Sequence, residues 1–259
     1  MKTERISEVL ALIPRVYRVY HHREFIGFDP VGFLQLYANK EDREIVALVA
    51  ALLAFGRVEQ IHQKVGKILE LMVPSPRIWV ERFKSSKWQH INFCHRFVKR
   101  NDLFGLFEGM KNIINVWGSL EACFGECWTK SESNLSKAVS LFRAILIGNN
   151  GGLKNHMLLP DPSKKSPCKR WMLFLRWMVR CDEIDPGGWK CPAPKDLIVP
   201  VDVHMERVAR RLELSKHRTI DWVMAVEITE TLKLLDPEDP VKYDFSLTRW
   251  SMDGFPELE

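Results

Sequence analysis

Long apolar runs, paired cysteine motifs and strand-like alternation are what this sequence has least of. No stretch approaches the roughly 18–20 apolar residues that cross a bilayer. The longest, EIVALVAALLAF at 44–55, reads as a buried core helix. The six cysteines form no CxxC pair, so their spacing carries no zinc or iron–sulfur signature. They read as thiols in a reducing compartment, which suggests a cytoplasmic, nucleoid-associated protein. β-branched residues do not gather into alternating runs, which argues against a sheet protein. The opening MKTERISEVLALIPRVY carries Glu4 and Glu8 and no small-residue cleavage site. It reads as a first helix and not as a signal peptide.

What is present is enough to build a core. Of 259 residues 46% are hydrophobic and 27% charged, which excludes a disordered chain. The formal charge of +5 says less than its location. Residues 160–218 hold 13 Lys/Arg against 8 Asp/Glu, and residues 164–180 hold six basic residues and no acidic one. A patch of that kind suits a phosphate backbone, or is a solvated helix face with snorkelling arginines.

Helical signals dominate, and the reading is an all-α protein. Asp29-Pro30, Ser75-Pro76 and Ser166-Pro167 each place a capping side chain before a first-turn proline. Apolar spacing predicts helices at 44–55, closed by Gly56, and at 57–72, with others near 76–84, 102–117, 132–147, 167–180, 203–213 and 219–232. Two stretches rich in turn formers, 148–166 and 182–200, interrupt the pattern.

Chemistry concentrates around those interruptions. With Ser166 as cap and Pro167 at N1, Lys169 falls at N3 of its helix. The helix dipole, Arg170 and nearby Trp171 or Phe174 would then favour the neutral amine. Such an amine can attack a sugar C1′ or form a Schiff base; equally, Lys169 is one more cation in a basic patch. Asp202 precedes an arginine-bearing helix and is a natural N-cap, which keeps a carboxylate ionised. It can stabilise positive charge on a sugar, or be a cap alone. His204 contacts phosphate or braces the loop, and Arg207 reaches a carboxylate across a helix interface. The turn Asp185-Pro-Gly-Gly-Trp189 presents an aromatic to a ligand or plugs a satellite core.

PVDVHMERVARRLEL at 200–214 resembles the aspartate segment of the helix-hairpin-helix, Gly/Pro/Asp-type DNA glycosylases. The family's aspartate falls on Asp202, its histidine on His204 and its helix arginine on Arg207. Its hairpin resembles Leu159-Pro160 onwards, and its lysine matches Lys169. LLPDP at 158–162, FLRWMVR at 174–180, PVDVH at 200–204 and the ending LDPEDPVKYDFSL at 235–247 are similar to a bacterial branch of that superfamily. The usual hairpin glycines are replaced by Asp-Pro-Ser-Lys-Lys-Ser, which leaves Lys164 and Lys165 as phosphate contacts. No cysteine follows Cys191, so the iron–sulfur cluster of some relatives is not expected.

The resemblance implies one glycosylase-like domain, 1–259, of two helical lobes around a central cleft. Its hairpin spans 153–180 and its aspartate helix 202–213. It implies base excision with abasic-site lyase activity on double-stranded DNA carrying a damaged base, with oxidised purine (8-oxoguanine) the first candidate. Lys169 and Asp202 are the expected catalytic pair. Lys164, Lys165, Arg170, Arg176, His204 and Arg207 are expected to touch DNA, and Trp171, Phe174 and Trp189 to line a base pocket. A monomer with no cofactor and no catalytic metal follows. The alternative is a non-catalytic DNA- or RNA-binding helical protein.

Overall fold

The computed structural model describes residues 2–148, 157–164 and 166–258. Among them the chain is predominantly helical, with eleven α-helices. A two-stranded antiparallel ladder, β1 (Cys94–His95) against β2 (Val98–Lys99), qualifies the all-α expectation. The chain divides into two compact units. One is formed by residues 1–27 with 165–259, the other by 28–164.

The 28–164 unit is built around α2 (Lys40–Leu52). Its start is fixed by Asn39, whose Oδ1 accepts from the amides of Glu41 and Asp42. From Ile45 to Leu53 every residue is fully buried, as the apolar run predicts. Glu44 is buried too. Its two carboxylate oxygens accept from the amides of Leu120 and Glu121, at 2.8 and 3.1 Å. It thereby caps α6 (Leu120–Lys130) from a neighbouring helix. The rest of the unit is α3 (Val58–Leu71), α4 (Pro76–Glu81), α5 (Arg100–Trp117) and α7 (Leu135–Ile147). α5, α6 and α7 pack on one another, and α4 packs on α2 and α5.

The other unit gathers α1 (Lys2–Tyr20), α8 (Lys169–Val179), α9 (Val203–Arg211), α10 (Trp222–Lys233) and α11 (Asp244–Met252). α11 packs against both α1 and α9. α8 is buried almost all round: Trp171, Phe174 and Trp177 are each at most 1% exposed. A ring-edge contact at 5.0 Å seats Trp189 on Phe174. Gly187 makes the turn into that contact, with φ +64° and its amide on the Trp177 carbonyl. A Cβ there would lie 2.6 Å from the Arg180 carbonyl oxygen, so only glycine fits.

Candidate active site

Lys169 and Asp202 meet. The Lys169 Nζ lies 2.9 Å from Asp202 Oδ2, with the side chains 30% and 22% exposed. Local backbone chemistry places each. Asp202 is the N-cap of α9, and its Oδ1 accepts from the amides of His204 (2.9 Å) and Met205 (3.1 Å). One carboxylate oxygen thus serves the helix and the other the lysine. Burial would push the Asp202 carboxyl up, but Lys169 and the two amides outweigh it and hold the group below the ordinary aspartate value.

The start of α8 differs from the sequence expectation. Ser166 does not cap the helix. Its hydroxyl accepts from the Cys168 amide at 3.3 Å, and Cys168 takes a left-handed conformation (φ 50°) as the residue before the helix. Lys169 is therefore the first helical residue, N1 and not N3. The local turn bond competes successfully with the cap.

Other expected site residues are redistributed. Arg176 is not on a DNA-facing surface but 3% exposed. Its Nε and Nη2 donate to Asp185 Oδ1 at 3.2 and 3.0 Å, and its Nη1 to Asp244 Oδ2. Trp171, Phe174 and Trp189, expected to line a base pocket, are each at most 5% exposed. They are core, because α8 buries its aromatic faces together. Arg170 is half-buried, and burial lowers its guanidinium to about 10, which leaves it cationic at neutral pH. His204 is half-buried with Nδ1 unpaired, and burial, against the pull of Asp202, lowers it so that it is neutral near pH 7. Arg207 is exposed and forms no ion pair across a helix interface among the described residues. Lys164 is exposed at the end of a 3₁₀ turn, Pro162–Lys164, of the other unit.

Lys165 and residues 153–156 of the expected hairpin lie outside the described residues. The LLPDP segment is clamped to α7 within the 28–164 unit: Arg143 Nε donates to the Leu159 carbonyl at 2.7 Å, and Ser140 and Ser163 donate to Asp161. The expected continuous basic patch over 164–180 is thus reduced. Arg176 and Arg180 are spent on buried carboxylates, and exposed cations of the same unit include Arg207, Arg210 and Arg211 on α9 and Lys216 and Arg218 just after it.

A buried charge cluster around Arg176 and Arg180, not evident from the sequence pattern, reaches the pair through Asp244. Arg180 donates to Asp239 (2.9 and 3.0 Å), to Asp182 (2.7 Å) and to Asp185. Asp182 also meets His21 Nε2 at 2.9 Å, which ties the end of α1 into the cluster. Two guanidiniums serve four carboxylates, and the consequences differ by site. Burial would raise Asp182, but His21 and Arg180 pull it well below the ordinary value. Burial raises Asp239 despite Arg180. Burial also pushes Asp244 up to about 6, with Arg176 and Lys169 opposing and Asp202 reinforcing. The Oδ1 of Asp244 has no partner. The available signal was an acidic residue enclosed by the apolar Tyr243 and Phe245-Ser-Leu247, which a surface aspartate would not need.

A family model described as "Protein of unknown function (DUF2400)" matches residues 29–253, taking in nearly all of the 28–164 unit and the segment carrying Lys169, Asp202 and the charge cluster. The chain belongs to the DUF2400 family. No curated protein matches this DUF2400 chain, and no solved structure does. No helix among its described residues is long and apolar enough to cross a membrane.

Proposed function

We propose that this protein is a DNA glycosylase with associated lyase activity, of the helix-hairpin-helix type with two helical lobes and a cleft. The observation that carries the reading is the partly exposed Lys169–Asp202 pair, 2.9 Å apart, each residue at the start of its own helix. A damaged nucleotide flipped out of the duplex would bring its C1′ to Lys169. The amine must be free, so the proton that Nζ shares with Asp202 first passes to solvent. The Nζ lone pair then forms the bond to C1′ as the bond from C1′ to the base breaks. The base departs with that electron pair and takes up a proton. Asp202, ionised, offsets positive charge developing on the sugar. Ring opening gives a Schiff base, and loss of a C2′ proton expels the 3′ phosphate. Phosphate contacts fall to Arg207, Lys216 and Arg218 around α9, with Arg170 beside the lysine. The first candidate lesion is 8-oxoguanine.

Borohydride trapping on a duplex with a single 8-oxoguanine tests this. A covalent adduct with the wild type, absent in Lys169→Ala at unchanged duplex affinity, supports it. An undiminished adduct in the variant refutes Lys169 as nucleophile. One observation favours a second reading, a non-catalytic DNA- or RNA-binding protein: the three aromatics assigned to a base pocket are buried. That reading predicts duplex or single-strand binding without an adduct on any lesion.

A further inference from the structure

The 28–164 unit carries a second feature that the chemistry of Lys169 and Asp202 does not use. A cavity of about 390 Å³ opens between α3, α4, α5 and the 88–93 segment. That is within the usual range for small-molecule sites. Its walls are aromatic: Trp79, Trp88, Phe93, Phe104 and Phe107. These rings are held by one another. Trp79 packs against Trp88 at 5.2 Å and meets Phe107 edge-on at 5.0 Å. They form a preset cage of flat surfaces, of the kind that favours a flat guest.

The charged groups of the cage are mostly cations. Lys64, Lys67 and Arg100 line it against one carboxylate, Glu70. Lys64 lies 5.9 Å over the Phe93 ring, and the Arg100 guanidinium 5.8 Å over the Phe104 ring. Neither Lys64 nor Lys67 is committed to an ion pair among the described residues. Arg100 is fixed by donating from Nη1 to the Gln89 carbonyl, which leaves its buried Nε without a partner. The indole Nε1 of Trp79 is likewise buried and unpaired. Both residues line the cavity, and a buried N–H without a partner is costly unless an acceptor reaches it. An apolar solute would leave both unsatisfied, and a cation would meet the positive rim. An anionic acceptor on a flat ring answers the walls, the orphaned donors and the charge together.

We infer that this cavity is a binding site for a small planar aromatic anion, such as an aryl carboxylate. The ring lies among Trp79, Trp88 and Phe104, and the negative group takes hydrogen bonds from Trp79 Nε1 and Arg100 Nε. Lys64 and Lys67 supply the attraction at the mouth.

The experiment is isothermal titration of the full chain with 2-naphthoate and, as its neutral counterpart, 2-naphthylmethanol. The naphthoate is expected to bind one site per chain with a Kd below about 1 mM. The neutral compound is expected to bind at least about tenfold more weakly, since charged acceptors gain more from a donor than neutral ones. Trp79→Phe keeps a smaller aromatic wall and removes the donor, and should weaken naphthoate by roughly tenfold. Should that variant fold poorly, Lys64→Met with Lys67→Met alters only the rim. It should weaken naphthoate roughly threefold to tenfold and leave the neutral compound unchanged. No detectable naphthoate binding, equal binding of the two compounds, or full affinity in both variants would each overturn the assignment.

Discussion

Replacing Asp244 by asparagine should make the protein more stable at neutral pH and not at acid pH. Asp244 is 3% exposed and its carboxyl is pushed up to about 6, first by burial. In the unfolded chain it would titrate near 3.9. Below about pH 4 both states hold the proton and the group has no effect on folding. Between about pH 4 and 6 the unfolded chain gives up the proton while the folded one keeps it, so stability falls as pH rises. Above 6 the loss is complete. Two pH units at about 1.4 kcal/mol each make it about 3 kcal/mol. Asparagine has the same shape, still accepts from Arg176 through its amide oxygen and cannot ionise. Thermal melts of both proteins from pH 4 to 8 are the assay. The variant should match the wild type at pH 4 and exceed it by roughly 6–12 °C at pH 7.5. Titrations not coupled to Asp244, such as that of Asp182, cancel in the difference. A gap independent of pH, or a wild type that gains on the variant as pH rises, would refute the argument that burial outweighs Arg176.

Other outcomes follow from the same geometry. Asp202→Asn keeps an amide-accepting oxygen for α9 but removes the charge facing Lys169. Its melting temperature should change little, while single-turnover base excision falls roughly a hundredfold, about 3 kcal/mol; a full rate with lowered stability would leave Asp202 as a cap only. Arg207→Gln should weaken binding to intact and damaged duplexes alike and reduce the salt slope by about one, measured by fluorescence anisotropy at several salt concentrations; a loss confined to damaged DNA would mean that it reads the lesion. Gly187→Ala must place a Cβ 2.6 Å from the Arg180 carbonyl oxygen at a φ of +64°. Urea unfolding should show a loss of about 2 kcal/mol or more.

Helices with a strong apolar period were legible in the sequence, and their ends were less so. The run at 44–55 identified α2 but not its first turn, Lys40 to Arg43, which is polar and depends on the Asn39 cap. Gly56, read as the helix stop, lies four residues beyond Leu52, at φ +102°. α6 escaped notice because LEACFGECWTK mixes glycine and cysteine into a weak period; Ser119 and the distant Glu44 satisfy its first amides. α11 escaped because DFSLTRWSM has low helix propensity and is held by packing on α1 and α9. In the site, the Asp202 cap was readable because capping is local. The fate of Arg176 was not, since its partners lie nine and 68 residues away. Counting basic residues along a helix cannot distinguish a phosphate-facing arginine from one neutralised by remote carboxylates.

The bond between His21 and Asp182 also sets a timetable. Its two ends are 161 residues apart, and the 28–164 unit occupies the interval. At 5–20 residues per second, a ribosome needs roughly 10–30 s to deliver Asp182 after His21, and longer for α11. Throughout that wait α1 has been made and its packing partner has not. Ile13 and Val16, fully buried in the finished protein, are then without their cover. The nascent chain therefore carries an unsheltered amphipathic helix past the synthesis of an entire intervening unit, a natural client for a chaperone that grips apolar helices.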